Sequence, residues 1–84
     1  GASAPANASG TLYLQTGAFG NPANAQRLRQ RLQNAGFQQV TVVESSGATT
    51  IYRVQLGPYA SERSRALNRQ ILREQGFSAQ EVDR

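Results

Sequence analysis

Cysteine and histidine are both absent from the 84-residue chain. Without cysteine, no disulfide or thiolate metal site can hold a small domain together. Without histidine, the commonest metal ligand and general base is gone, and no cofactor is expected. Lysine is missing too: all nine basic residues are arginine, and five acids leave a net charge of +4. A balance of that size points to an anionic partner or to solubility alone. Six of the arginines (Arg27, Arg29, Arg31, Arg65, Arg69 and Arg73) fall on predicted helices and read as a charged outer face. Long apolar runs are also lacking. None approaches the roughly 20 residues of a membrane span, so a soluble fragment without membrane insertion is expected.

What is present is a phrase written twice. LQTGAFG (Leu14–Gly20) is echoed by VQLGPYA (Val54–Ala60), and sliding the chain by 40 residues extends the echo without a gap. It pairs Gln15 with Gln55, Gly17 with Gly57, Arg29 with Arg69, Leu32 with Leu72, Gly36 with Gly76, Phe37 with Phe77 and Val42 with Val82. Two copies are too few for a solenoid and fit a duplicated supersecondary unit. Ahead of the first copy, GASAPANASG is small, polar and aperiodic. Residues 1–10 therefore read as a flexible linker or cloning remnant, and 11–84 as one ordered domain. A linker implies a larger parent protein.

Each copy reads as strand, helix, strand. Leu12–Thr16 alternates as a half-buried strand with Leu12 and Leu14 inward. Gly17, like Gly57 in the second copy, reads as the turn from strand to helix, through unusual dihedrals or close backbone approach. Asn21-Pro22 supplies an N-cap and a proline at the first helical position. Ala25, Leu28, Leu32 and Ala35 form one apolar stripe, closed by Gly36 with Phe37 folding back. Val40–Glu44 is β-branched and reads as a second strand. Residues 45–48 make a hairpin connection to a third strand over Thr49–Gly57. Ser61 caps a second helix with Leu67, Ile71 and Gln75 inward and Leu72 beside them. Gly76 closes it, and a short last strand holds Val82. The fold class is α+β: a βαββαβ split sandwich of ferredoxin or RNP type, four antiparallel strands with two helices on one face.

That fold leaves one sheet face uncovered. Alternation puts Tyr13 and Gln15, Thr41 and Val43, and Ile51, Arg53 and Gln55 on it. A solvated face is the plain alternative. Glutamine is no favoured strand residue, however, and two at equivalent central positions favour a binding surface, since a planar amide pairs well with hydroxyl and acetamido groups. Catalysis finds no support. Glu44, Glu62, Glu74, Glu81 and Asp83 show no pairing of the kind glycoside hydrolysis needs, with Glu81 and Asp83 near a fraying terminus. An RNA-binding module is the rival on fold and charge, but the RNP1 pattern is missing and the arginines favour the helices.

The stretches YLQTGAFGNPANAQRLRQRLQNAGF and YRVQLGPYASERSRA resemble the SPOR (sporulation-related repeat) domain, over about Thr11 to Val82. The resemblance implies a monomeric, non-catalytic module that binds peptidoglycan glycan strands stripped of stem peptides. It implies a periplasmic location at the division septum. The parent would be an outer-membrane lipoprotein whose lytic transglycosylase activity resides in a separate domain. It also implies that the open sheet face is the ligand surface, with Gln15 at the family's first-strand glutamine and Arg53 and Gln55 on the matching third strand. Ala18 stands where many members carry serine, which removes one hydroxyl. Val43 and Ile51 stand nearest to where others carry large aromatics, leaving Tyr13 as the candidate for stacking on sugar.

Overall fold

A computed structural model describes residues 11–84; the linker or remnant expected over residues 1–10 lies outside them. The elements are β1 (Leu12–Phe19), α1 (Pro22–Asn34), β2 (Val40–Ser45), β3 (Ile51–Tyr59), α2 (Glu62–Glu74) and β4 (Gln80–Asp83). The strands make one antiparallel sheet in the order β2-β3-β1-β4, so the two repeated strands, β1 and β3, lie side by side at its centre. Leu14, Val54, Leu56, Ala25, Leu28, Leu32, Val40 and Leu72 form the core between sheet and helices.

β1 runs three residues beyond the expected Thr16. The β1–β3 ladder shifts register between Gln15 and Gly17, leaving Thr16 as the extra residue of a bulge. The buried Thr16 hydroxyl donates to the Val54 carbonyl, 3.2 Å away, and pairing resumes as Gly17 with Val54, Ala18 with Arg53 and Phe19 with Tyr52. Gly17 is therefore inside the strand, not the turn after it. A Cβ there would sit 2.8 Å from Leu28 Cδ2 and from the Phe19 ring, so any larger residue would have to displace those side chains. Gly57 also lies inside its strand, β3, and has φ +136°. A Cβ there would meet the Tyr13 ring at 2.8 Å and the Leu12 carbonyl oxygen at 2.9 Å. β3 is likewise shifted two residues later than expected, and residues 46–50 make the connection from β2.

Both helices start and stop by local chemistry. The Asn21 side chain accepts from Ala23 N at 2.8 Å ahead of Pro22, and the Ser61 hydroxyl accepts from Ser64 N at 3.1 Å. Both end alike: Gly36 N–H donates to Gln33 O and Phe37 N–H to Leu32 O, then Gly76 N–H to Arg73 O and Phe77 N–H to Leu72 O. This is the Schellman pattern, with each glycine left-handed. Ala35 falls past the end of α1, exposed at the C-cap.

α2 differs from expectation. Leu67 is 58 % exposed and Gln75 is the C-cap, while the inner face carries Arg65, Asn68 and Leu72. These are the repeat partners of Ala25, Leu28 and Leu32. The helix thus docks in the register of its twin rather than on its own apolar residues, because Leu72 fills the core and Arg65 reaches the acids of β4. Arg65, placed on the outer face by the sequence, is buried; its guanidinium binds Asp83 and Glu81 and donates to the Val82 carbonyl. Glu81 and Asp83 accordingly belong to a paired strand and share one cation. Arg69 also turns inward in part, donating from Nε to the Ala79 carbonyl at 3.2 Å.

Candidate functional site

Directly paired residues of adjacent strands share a face, so the ladder registers assemble the uncovered surface. One row crosses all four strands: Thr41 opposite Gln55, Gln55 opposite Gln15, and Gln15 opposite Gln80. A second row is Val43, Arg53 and Ala18, with Ser45 opposite Ile51 beyond it and Tyr13 opposite Val82 on the other side. All eight candidates (Tyr13, Gln15, Ala18, Thr41, Val43, Ile51, Arg53 and Gln55) thus lie on one face. The bulge at Thr16 matters here. It restores alternation after Gln15, so that Ala18 rather than Gly17 joins the row of Arg53.

The central amides bond to each other: Gln55 Nε2 donates to Gln15 Oε1 at 3.2 Å. Gln55 is buried, because Arg84 lies over it and donates from Nε to Gln55 Oε1 at 3.1 Å. The Arg84 guanidinium also stacks 3.9 Å from the Tyr13 ring centroid. Tyr13, the residue left by the sequence for sugar stacking, is only 9 % exposed, and Gly57 packs directly against its ring. Arg53 donates to the Ser45 hydroxyl at 2.5 Å. Thr41 and Ala18 are exposed, and Gln15, Val43, Ile51 and Arg53 are half-buried.

Charge is segregated between the faces. By alternation Glu44 pairs with Tyr52 on the helical side, Glu81 and Asp83 point there to meet Arg65, and Glu62 and Glu74 lie on α2. The uncovered face thus carries Arg53 and Arg84 and none of the chain's five acids. It can donate hydrogen bonds and neutralise anions, but it offers no carboxylate for acid–base work. Among the described residues, Tyr59 has its pKa raised by burial beside the core, and it plays no part on this face. A hollow on the outside of α2, lined by Ala66, Arg69, Gln70, Arg73 and Glu74, is a solvated helix flank. Arg69 there is bonded to Ala79, and Gln70 to Glu74.

Sequence reasoning missed Ser45, Gln80, Val82 and Arg84 on this face. The signal existed for three of them. Alternation through Gln80-Glu81-Val82-Asp83-Arg84 puts the first, third and fifth together, once the segment is taken as a strand rather than a frayed end.

Comparison with known proteins gives one consistent answer. The family model described as SPOR domain matches residues 8–82. The crystal structure of the RlpA SPOR domain from Pseudomonas aeruginosa superposes with a TM-score of 0.75 at 29 % identity, covering 84 % of this chain and 96 % of that one. The solution structure of the peptidoglycan binding domain of the B. subtilis cell wall lytic enzyme CwlC superposes with a TM-score of 0.68 at 26 % identity, covering 90 % and 92 %. No curated protein matches the chain.

Proposed function

The chain belongs to the SPOR domain family, and on that premise we propose that it binds peptidoglycan through the uncovered sheet face, as a binding module without catalysis of its own. One observation carries the reading. The face has a row of amides flanked by two arginines and no acid, in a family with a solved relative described as a peptidoglycan binding domain. Glycan strands offer acetamido groups, hydroxyls and a lactyl carboxylate on each muramic acid. Amides satisfy the first two by paired donor and acceptor, and guanidinium groups satisfy the last by charge-assisted bonds.

Strands stripped of stem peptides are the preferred form on this reading. The stem peptide is joined through the lactyl carboxyl, so its presence removes the anion that Arg53 and Arg84 would meet and adds bulk over a shallow surface. Enrichment of such strands at the division septum would then target a periplasmic parent protein there. An outer-membrane lipoprotein with a separate lytic transglycosylase domain is the kind of parent this module suits. Val43 and Ile51 supply the apolar contact beside Arg53.

The test is titration of folded variants with peptide-free glycan oligomers and pull-down on sacculi with and without amidase treatment. Gln15→Ala and Arg53→Ala should each weaken binding by about 1–3 kcal/mol. The control is Arg63→Ala, an exposed position on α2, which should leave binding unchanged; Arg69 is unsuitable because it is bonded to Ala79. Wild-type affinity in both face variants, or loss in the control alone, would move the site to the helices. RNA binding with a steep salt slope would replace the glycan reading.

A further inference from the structure

The hydrogen bonds on the open face have a direction, and Arg84 sets it. A guanidinium has only donors, whereas a glutamine amide can turn either end toward a neighbour. With Arg84 Nε donating to it, Gln55 must present its oxygen to Arg84, and its NH2 is left to face Gln15. Gln15 must then accept with Oε1, and its own NH2 is the end turned away from the pair. Arg84 is placed firmly enough to impose this. Its backbone N–H donates to Thr11 O at 2.9 Å, extending the β4 ladder. Its guanidinium stacks on Tyr13, and the preceding Asp83 is held on the opposite face by the buried Arg65.

We infer that Arg84 is a positioning residue that fixes the polarity of the Gln55–Gln15 amide pair, so that Gln15 offers its NH2 to the ligand and the site selects a carbonyl-type oxygen acceptor. This rests on the proposed glycan-binding face and narrows it. A glycan carries such an oxygen in two places, the acetamido carbonyl and the lactyl carboxylate. A ligand group that can only donate meets at Gln15 just the remaining lone pair of an oxygen already turned toward Gln55. Tyr13 serves as the platform for Arg84 rather than for a sugar ring.

The relay is read first without ligand. Side-chain amide NMR of the free domain should show the Gln55 NH2 shifted and slow to exchange, and the Gln15 NH2 solvent-like. Arg84→Met keeps an unbranched apolar chain over Tyr13 but has no donor, and should erase that difference; Arg84→Lys keeps a donor and should retain more of it. An unchanged amide spectrum in Arg84→Met overturns the inference. The second measurement is titration of Gln15→Glu, which can still accept from Gln55 but has no NH2 to offer. It should lose about tenfold in affinity, the scale of one hydrogen bond. A loss confined to peptide-free peptidoglycan glycan, and shown also by the uncharged Gln15→Leu so that repulsion from the new carboxylate is not its cause, assigns the acceptor to the lactyl carboxylate. A loss shared by N-acetylglucosamine oligomers, which lack that group, assigns it to the acetamido carbonyl. Undiminished binding by Gln15→Glu overturns the inference. A wild-type domain that ignores both glycans removes the proposed function, and the free-protein amide spectrum still decides the relay.

Discussion

Arg65 on α2 and Asp83 on β4 form an ion pair in which the cation is buried and the anion is not: the side chains are 7 % and 70 % exposed. The asymmetry sets the cost of breaking it. Removing Asp83 leaves Arg65 with Glu81 and the Val82 carbonyl still in reach, so Asp83→Ala should cost about 1 kcal/mol or less. Arg65→Ala removes every bond to β4 and opens space beneath the helix, and should cost about 2–4 kcal/mol. Chemical denaturation of both variants checks the ordering. Equal losses would mean the pair acts only as a surface bridge.

The two equivalent leucines carry the core. Leu32 and Leu72 are both fully buried, whereas Leu67 on the same helix as Leu72 is 58 % exposed. Leu32→Ala and Leu72→Ala should each destabilise by about 2–5 kcal/mol, which can unfold a domain with no disulfide in reserve. Leu67→Ala should stay within about 0.5 kcal/mol. Thermal midpoints of the three variants check the helix register directly.

Gly57 and Gly17 should respond differently to alanine, although they are repeat partners. At Gly57 the positive φ and the Leu12 carbonyl oxygen 2.9 Å from an added Cβ leave no soft way out; the strain and clash should cost about 2 kcal/mol or more. At Gly17 the clash is with the Leu28 methyl and the Phe19 ring, side chains that can shift. Gly17→Ala should therefore be the milder of the two in a denaturant titration.

Tyr59 should titrate late. Burial raises its pKa above 10.0, so the folded state holds the proton more tightly than the unfolded chain does. Its contribution is fully present below pH 10 and is lost as pH rises through the raised value. The phenolate absorbance step lost in Tyr59→Phe should lie above pH 10.0, and that variant should flatten the alkaline fall in stability. A Tyr59 step at the ordinary tyrosine value would contradict the burial.

The sequence by itself determined the βαββαβ order, the N-caps at Asn21 and Ser61, the glycine closures at Gly36 and Gly76, and the face on which Gln15, Arg53 and Gln55 stand. Each of these is written in local spacing: a cap lies within three residues of what it caps, and strand alternation needs only its neighbours. Tertiary structure decided what depends on a distant partner. Arg65 is buried because Glu81 and Asp83 lie on the strand beneath it, and Leu67 is exposed because Leu72 took the core. β1 continues past Gly17 because Thr16 can bulge and bond the Val54 carbonyl. The polarity of the central amides belongs to this second class. Nothing near Gln15 in the chain fixes which end of its amide faces out; Arg84, brought across the sheet by β4, does so because a guanidinium can only donate.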